Sequence, residues 1–250
     1  MIHTTESGDL VSGLSGATVV VTGAAGGIGE AASAWLVAEG ARVFDLDRQA
    51  PQRRSGTYVP IDVIDPDSVD AAVAAVAHST NRIDGLVVAT GLSEVSTPAE
   101  DMALDVWDRT MNVNLRGVFL TCQRFGRVML AQSAGRIVTI ASMSGNHVVN
   151  VPQQQAAYNA SKAAVVALTR SLAYEWAPRG VRVNAVSPGY VDTPLLANRP
   201  YLHEQWKRAT PVGRFADPHE VAAAAGWLLS DEAAFCCGTE LLMDGGYSLS

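Results

Sequence analysis

Short runs of β-branched residues alternate along this chain with longer Ala- and Leu-rich stretches that have helical spacing. The clearest runs, each three to six residues long, lie at 18–21, 86–88, 137–140 and 181–186. Strands that alternate regularly with helices form a parallel sheet with helices on both faces. The pattern therefore predicts one doubly wound α/β domain over residues 16–250, preceded by a loose polar arm at 1–15.

Residues typical of helix ends support this division of the chain. Asp65 and Asp217 each precede a proline, as at many helix N-termini, and the second is followed by a glutamate at the capping-box position. The helix that starts near Ala156 is predicted to end at 178–180, where the sequence reads Pro-Arg-Gly. The stretch 48–56 is too short and too broken for a crossover helix, so we expect a shortened connection there.

Composition and charge exclude several classes of protein. The chain of 250 residues can bury one sizeable core, and its net charge of −7 argues against a nucleic-acid partner. No apolar run approaches the roughly 18 residues of a membrane span, and the first residues do not resemble a signal peptide. Cys122, Cys236 and Cys237 are spaced for neither a zinc site nor a disulfide framework. We expect a cytoplasmic protein with no bound metal.

A glycine-rich turn connects the first predicted strand to an Ala-rich helix. Residues 22–29 read TGAAGGIG. Gly23 would permit the tight turn, Gly27 would let the backbone approach a pyrophosphate, and Gly29 would allow close packing of helix and strand. The spacing differs from the common G-x-G-x-x-G, and a plain glycine turn is the alternative interpretation.

Asp47 ends the second predicted strand, close to the offset expected for a ribose-binding acid. A carboxylate there accepts hydrogen bonds from the adenosine ribose hydroxyls and repels a 2′-phosphate, which favours NAD over NADP. Two alternatives remain open: Arg48 could cover a 2′-phosphate, or Asp45 could be the acid at the strand end.

Tyr158 and Lys162 are four residues apart on a predicted helix, and the chain has only one other lysine, Lys207. Positions i and i+4 lie on one helix face. A nearby ammonium stabilises a phenolate, so the pair suits proton transfer at neutral pH. The alternative is a surface tyrosine stacked along a lysine side chain.

With these motifs in order, the sequence resembles the short-chain dehydrogenase/reductase family from about Gly13 to Ser250. The matching segments are TGAAGGIG at 22–29, Asp62-Val63, Asn112-Val113-Asn114, Ser142, Tyr158-Asn159-Ala160-Ser161-Lys162, Ser187-Pro188-Gly189, Thr193 and Asp244-Gly245-Gly246. The resemblance implies a Rossmann-type domain with a parallel seven-stranded sheet. It also implies a homotetramer formed through two long central helices and the C-terminal segment.

The resemblance assigns catalytic roles to four residues. Tyr158 would be the general acid or base, and Lys162 would lower its pKa and hold the nicotinamide ribose. Ser142 would hydrogen-bond the reacting oxygen, and Asn114 would hold a water that links Lys162 to solvent. Without that context, Ser142 could be an ordinary turn residue and Asn114 an ordinary hydrogen-bonding residue of a helix.

The resemblance also assigns the cofactor contacts. Asp62 and Val63 would hold the adenine, Gly189 and Thr193 would contact the nicotinamide, and Ile28 would belong to the glycine-rich turn. The family usually has Asn-Asn-Ala-Gly after the fourth strand, whereas this chain reads Val-Ala-Thr-Gly at 88–91 and keeps only Gly91. Because that wall is largely backbone, we expect it to be altered but not abolished.

The segment between Ser142 and Tyr158 resembles the polyol and sugar dehydrogenase branch of the family. It is longer than in many members, so residues 146–155 are expected to loop over the active site. Amide and hydroxyl side chains suit a substrate with several hydroxyl groups, and the alternative is a solvated loop. The candidate substrate residues, besides Ser142 and Tyr158, are Ser144, Asn150, Gln155 and Tyr190.

A lid is expected at about 190–212, with a helix over 199–206. For Trp206 in that helix, simple packing is the alternative to a substrate role. His147 has no visible partner in the sequence, and a surface or pocket-wall position is favoured for it.

Together these features predict an NAD-dependent oxidoreductase that interconverts a secondary alcohol, a polyol or sugar alcohol, and its ketone. The enzymatic alternative is an NADP-dependent carbonyl or 3-oxoacyl reductase on the same fold. A non-catalytic, cofactor-binding regulatory protein is the alternative from another class.

Overall fold

A seven-stranded parallel sheet forms the centre of the computed structural model, which describes residues 13–249. The strands in chain order are β1 Thr18–Thr22, β2 Arg42–Asp47, β3 Thr57–Pro60, β4 Gly85–Val88, β5 Gly135–Ile140, β6 Val181–Pro188 and β7 Glu240–Met243. Their order in the sheet is β3-β2-β1-β4-β5-β6-β7. The predicted doubly wound α/β fold is confirmed.

Helices cover both faces of the sheet. They are α1 Gly27–Ala38, α2 Pro66–Ser79, α3 Leu104–Met111, α4 Val118–Ala131, α5 Met143–Asn146, α6 Ala156–Trp176, α7 Pro194–Ala197, α8 His203–Ala209 and α9 Pro218–Leu229. A π-helical turn, Asn112–Gly117, joins α3 to α4. No helix within residues 13–249 is long and apolar enough to cross a bilayer.

The helix ends follow the predicted residues. The Asp65 side chain accepts a hydrogen bond from the backbone N–H of Asp67, and Asp217 forms a full capping box at the start of α9. Helix α6 ends before the Pro-Arg-Gly segment, where Gly180 adopts a φ of 82° that suits glycine. No helix lies between β2 and β3, as the sequence indicated for 48–56.

Alternating strand residues supply two separate apolar layers. Val20 packs into the layer under α2, α4 and α6, whereas Val19 and Val21 pack into the layer under α1 and α9. The predicted N-terminal arm lies largely outside the described residues. At its described end, Leu14 is 1% exposed and belongs to the second layer, so the packed domain begins earlier than residue 16.

The strand order reverses between β1 and β4, because β1 pairs with β2 on one side and with β4 on the other. In open α/β sheets, ligands bind outside the carboxyl ends of the strands at such a point. The glycine-rich turn follows β1 directly, and Asp47 and 62–63 lie at the ends of β2 and β3. The segments that carry the other predicted site residues follow β4, β5 and β6 at the same edge.

Candidate active site

Two glycines of the turn after β1 are required by close backbone packing. Gly23 has a φ of 73°, and a Cβ atom there would lie 2.6 Å from the backbone nitrogen of Thr90. A Cβ on Gly29 would overlap the carbonyl oxygen of Gly23. This geometry agrees with the roles predicted for both glycines. Gly23 lets the segment after β4 approach the turn, and Gly29 lets helix α1 pack against it.

The N-terminus of α1 points into the cleft without a side-chain cap. Gly26 is the N-cap residue and makes no side-chain hydrogen bond, so the first N–H groups of the helix have no such partner. A Cβ on Gly27 would lie 2.6 Å from Cγ2 of Thr193, which places this glycine against the lid segment. A bare helix N-terminus with glycine backbone suits the diphosphate of a dinucleotide.

Asp47 and Asp45 have different surroundings at the end of β2. The Asp47 carboxylate accepts N–H groups from Ala25 at 3.1 Å and Gln49 at 3.3 Å, so it lies beside the glycine-rich turn. Asp45 is 1% exposed and accepts the N–H of Gly56 at 2.8 Å. Asp45 thus holds the β2–β3 connection, and Asp47 is the acid at the cleft.

The expected adenine contacts divide between side chain and backbone. Asp62 is half-buried, and its Oδ1 accepts the N–H of Ile64 at 3.2 Å. The Val63 side chain is buried in the core, where a Cβ on Gly117 would meet its Cγ2 at 2.7 Å. Only backbone atoms of Val63 are therefore available to an adenine ring.

One pocket at the carboxyl edge of the sheet brings together most of the predicted catalytic, nicotinamide and substrate residues. Those that line it are Ile28, Gly91, Ser142, Ser144, Asn150, Gln155, Tyr158, Lys162, Gly189, Tyr190 and Thr193. Ser142 follows β5 and caps α5, while Tyr158 and Lys162 lie on the first turns of α6. Loop and helix therefore place a hydroxyl, a phenol and an ammonium in one cavity.

Burial is the main influence on Tyr158. It raises the pKa of the phenol, a hydrogen bond with Ser142 lowers it, and the Glu94 carboxylate raises it further while Arg199 opposes that effect. The net pKa is above the ordinary value. Desolvation and the Glu94 carboxylate together therefore exceed the lowering of the pKa by the Ser142 hydrogen bond and the Arg199 guanidinium. The lowering by Lys162 that the resemblance implied stays a prediction.

Lys162 points toward both the pocket and the tyrosine. Its Nζ donates to the carbonyl oxygen of Ile140 at 2.8 Å and lies 5.8 Å from the ring centroid of Tyr158. Burial lowers the pKa of this ammonium to about 8. The side chain also lies close to Gly91, where a Cβ would be 3.2 Å from Nζ.

Asn114 lies in the π-helical turn with its side chain fully buried. Its Oδ1 accepts the N–H of Leu92 at 2.8 Å, and its Nδ2 donates to the carbonyl of Leu92 at 2.8 Å and to Ser161 at 3.1 Å. The amide therefore clamps the segment after β4 to α6. The water-holding role implied by the resemblance stays a prediction, and both amide N–H groups are already used.

The candidate substrate residues form a hydrogen-bonded wall. Ser144 Oγ donates to Oδ1 of Asn150 at 2.7 Å, Nδ2 of Asn150 donates to Oε1 of Gln155 at 3.3 Å, and Gln155 donates to Ser93. Ser142 joins the chain by donating to Ser144 at 3.2 Å. All of these residues except Ser93 are buried, so the alternative of a solvated loop does not hold for them.

The lid differs from the helix expected over 199–206. Pro200 begins a short 3₁₀ turn, and helix α8 begins only at His203. Trp206 is fully buried and stacks on Tyr190 with a centroid separation of 4.4 Å. The packing interpretation of Trp206 is supported, while the Tyr190 hydroxyl donates to Gln153 Oε1 at 3.4 Å on the pocket side.

Several residues at the site were not identified from the sequence. Ser93 and Gln153 line the pocket, and Glu94 lies buried beside Tyr158. The position of Ser93, two residues after Gly91, was the available signal for it. His147 has a partner after all, since its Nε2 lies 3.0 Å from Oε1 of Glu240 on β7.

The residues present fit a nicotinamide dinucleotide. The bare N-terminus of α1, the Asp47 carboxylate and the backbone at Val63 lie along one side of the cleft, and Thr193 and Lys162 lie at its inner end. Within residues 13–249, no cluster of three or more His, Cys, Asp or Glu side chains could hold a metal ion.

A parallel doubly wound sheet with such a cleft is the architecture of a Rossmann-type dinucleotide-binding domain. A family model described as enoyl-(acyl carrier protein) reductase matches residues 23–248. The galactitol 2-dehydrogenase (L-tagatose-forming) of Cereibacter sphaeroides is 43% identical over 94% of this chain and 96% of its own length. The NAD-dependent glycerol dehydrogenase of Listeria innocua is 38% identical over 92% and 93%.

A solved short-chain type dehydrogenase/reductase from Mycobacterium marinum is 36% identical, with a TM-score of 0.90 over 95% of this chain and 97% of that one. The chain belongs to the short-chain dehydrogenase/reductase family, and several of its curated relatives are polyol dehydrogenases. The resemblance that the motifs carried is confirmed.

Proposed function

We propose that this chain is an NAD(H)-dependent dehydrogenase that interconverts a secondary alcohol of a polyol or sugar alcohol and the corresponding ketone. The observation that carries the proposal is the convergence of Tyr158, Ser142 and Lys162 in one pocket at the carboxyl edge of the sheet. The family supports alcohol oxidation in general terms, and the finer assignment rests on the residues around this pocket.

Tyr158 is the group proposed to exchange a proton with the substrate oxygen. During ketone reduction the phenol donates its proton, and its raised pKa keeps that proton available at neutral pH. During alcohol oxidation Tyr158 must first be deprotonated, so oxidation is expected to accelerate as the pH rises. Ser142 donates to the reacting oxygen and stabilises its charge.

The bound nicotinamide supplies the site that accepts or donates the hydride. Asp47 is proposed to bind the ribose hydroxyls of the adenosine and to exclude a 2′-phosphate, which favours NAD. One relative is an NAD-dependent glycerol dehydrogenase, in line with this choice. The competing feature is Arg48, which is exposed next to Asp47 and could pair with the phosphate of NADP.

The substrate class is proposed from the polar wall of the pocket. Asn150, Gln155 and Gln153 are buried amides that can both donate and accept, which suits several neighbouring hydroxyl groups. The relatives act on galactitol and glycerol by name.

A homotetramer is proposed from the family resemblance. Phe119 on α4 is 38% exposed, and with Leu115 it lines a shallow apolar depression beside Leu168 of α6. Two apolar helix faces of this kind suit association of copies. A sedimentation coefficient typical of a monomer at micromolar concentration would contradict the assembly.

A cytoplasmic location is proposed as well, and the three free thiols are compatible with it.

The test is a matrix of cofactors and substrates followed by NAD(P)H absorbance. NAD and NADP are each combined with galactitol, glycerol, other polyols, simple secondary alcohols and, in the reverse direction, 3-oxoacyl thioesters. We expect polyol oxidation with NAD to have the highest kcat/KM. Better turnover with NADP would refute the role of Asp47, and preference for 3-oxoacyl thioesters would favour the reductase alternative. Binding of NADH with no turnover of any substrate would favour the regulatory alternative.

A further inference from the structure

Glu94 lies in the connection after β4, and its side chain is in the interior. The residue is 6% exposed. Oε1 accepts the backbone N–H of Tyr158 at 3.0 Å. Oε2 is also buried and has no hydrogen-bond partner among the described residues. One carboxylate thus touches the backbone of the proposed acid/base residue and retains an unpaired oxygen.

The contact with Tyr158 caps helix α6 from outside the helix. The N-cap residue Gln155 makes no side-chain capping bond, and the first N–H groups of a helix have no partner within it. Glu94 supplies an acceptor for one of them, and a negative charge at a helix N-terminus is favourable. The position of Tyr158 therefore depends on a residue 64 positions earlier in the chain.

Capping the helix does not require a carboxylate at position 94. A neutral glutamine could offer the same carbonyl acceptor, whereas a buried carboxylate oxygen without a partner costs free energy. A buried carboxyl group with an unpartnered oxygen beside the proposed acid/base residue is therefore a candidate for a functional role.

Opposite charges flank the tyrosine. Burial raises the pKa of Tyr158 most, the Glu94 carboxylate raises it, and the Arg199 guanidinium of the lid segment lowers it. Arg199 reaches the same place, since its Nη2 donates to the carbonyl oxygen of Glu94 at 2.7 Å. Two other titratable groups line the same pocket, Lys162 on the same helix as Tyr158 and Tyr190 in the lid segment.

We propose that Glu94 is a positioning residue for Tyr158: Oε1 holds its backbone in place, and the unpartnered Oε2 puts a negative charge near the phenol that opposes loss of its proton. The positive charge of Arg199 opposes the effect of Glu94 on the phenol, and Arg199 belongs to the lid segment that borders the pocket. The inference rests on the proposed acid/base role of Tyr158.

The test is the pH dependence of kcat/KM for alcohol oxidation in Glu94→Gln. Glutamine keeps an acceptor for the N–H of Tyr158 and removes the charge. We expect the midpoint of the acidic limb to move to lower pH by about half a unit or more. Arg199→Met removes the opposing charge and is expected to move the midpoint to higher pH.

Asp45→Asn is the matched control. Asp45 is also a buried carboxylate that accepts one backbone N–H and has one oxygen without a partner, but it lies on the β2–β3 connection. This variant should leave the midpoint where it is, whatever its effect on turnover. A merely structural role for Glu94 would lower stability in Glu94→Gln without moving the midpoint.

Glu94→Ala loses both the charge and the cap, and it provides a second variant if glutamine is not tolerated. It should move the midpoint in the same direction as Glu94→Gln and lower Tm by a few degrees, roughly the effect of losing a helix cap. An unmoved midpoint in both Glu94 variants, or an equal shift in Asp45→Asn, overturns the proposal. If Tyr158→Phe retains full activity, the proposed function itself has failed instead.

Discussion

The two halves of the cleft differ in whether backbone or side-chain atoms form their walls. The dinucleotide half, residues 22–29 with Asp47 and 60–63, consists mainly of backbone: glycines in close contact and a helix N-terminus without a side-chain cap. The substrate half, residues 142–158 with the lid at 190–212, consists of interlocked side chains from Ser142 to Gln155.

The difference explains which departures from the family pattern are harmless. Ala89 and Thr90 replace the usual residues after β4, yet their backbone still packs against Gly23. A wall made of backbone tolerates new side chains that point elsewhere. In the substrate half each side chain is also a hydrogen-bond partner of the next, so one substitution leaves a buried group unpaired.

Tyr158→Phe should give the largest effect and should separate the two halves. Loss of the phenolic hydroxyl removes the proton exchange, and kcat should fall roughly 10²- to 10⁴-fold. The affinity for NADH, measured by fluorescence titration, should stay within about twofold because the dinucleotide half is untouched. Tyr174→Phe is the control, since Tyr174 is an exposed tyrosine on the same helix. Equal activity of the two variants would contradict the catalytic assignment.

The ammonium at the boundary of the two halves should make stability depend on pH. The pKa of Lys162 is about 8 in the folded protein, against an ordinary value of 10.5. The unfolded chain therefore binds more protons at this lysine between these values, and the contribution of Lys162 to stability should rise with pH over this window by on the order of 3 kcal/mol. Burial also raises the pKa of the Cys122 thiol to about 12, so this second group opposes the rise above pH 9. The difference between the wild-type chain and Lys162→Met isolates the Lys162 contribution.

Denaturant unfolding at several pH values measures this rise. Lys162→Met should lack it, whereas Lys207→Met should retain it because Lys207 is a partly exposed lysine on α8. The same rise in Lys162→Met would show that another group causes it.

Gly29→Ala tests whether the dinucleotide half depends on close backbone packing. The added methyl group would overlap the carbonyl oxygen of Gly23, and overpacking of this kind costs about 1–3 kcal/mol. Both the free energy of unfolding and the affinity for NAD should decrease in this variant, since the same turn is proposed to bind the phosphates. Gly213→Ala offers a comparison, because Gly213 has open space around it and only an unfavourable φ of 77°. A stability loss in Gly29→Ala no greater than that in Gly213→Ala would contradict the packing argument.

Asp47→Asn should have the smallest effect and concern only cofactor choice. Loss of the charge should raise the KM for NAD about tenfold, worth roughly 1.4 kcal/mol, and reduce discrimination against NADP. The KM for the alcohol should not change. Steady-state kinetics with both cofactors measure this, and a larger rise in the KM for NAD in Asp45→Asn would reassign the ribose contact.

Much of the fold and of the site followed from local signals. The β-branched runs marked strands, Asp65 and Asp217 marked helix starts, and the four-residue spacing of Tyr158 and Lys162 placed both on one helix face. The lid was less predictable, because Pro200 delays the helix start to His203 and Trp206 is drawn into an aromatic cluster with Tyr190. His147 seemed unpartnered because Glu240 lies 93 residues away in sequence.

The sequence by itself determined the periodicity, the helix caps, the glycine-rich turn and the acid/base pair, since each depends on residues within a few positions of one another. Only the tertiary structure decided that Asp47 and not Asp45 faces the cleft, that Asn114 clamps Leu92, and that Glu94 caps the helix of Tyr158. These contacts join segments that become neighbours only when the strands take their order in the sheet. Burial in the folded protein also shifts the pKa values of Tyr158 and Lys162. The sequence around these residues does not show how deeply they are buried.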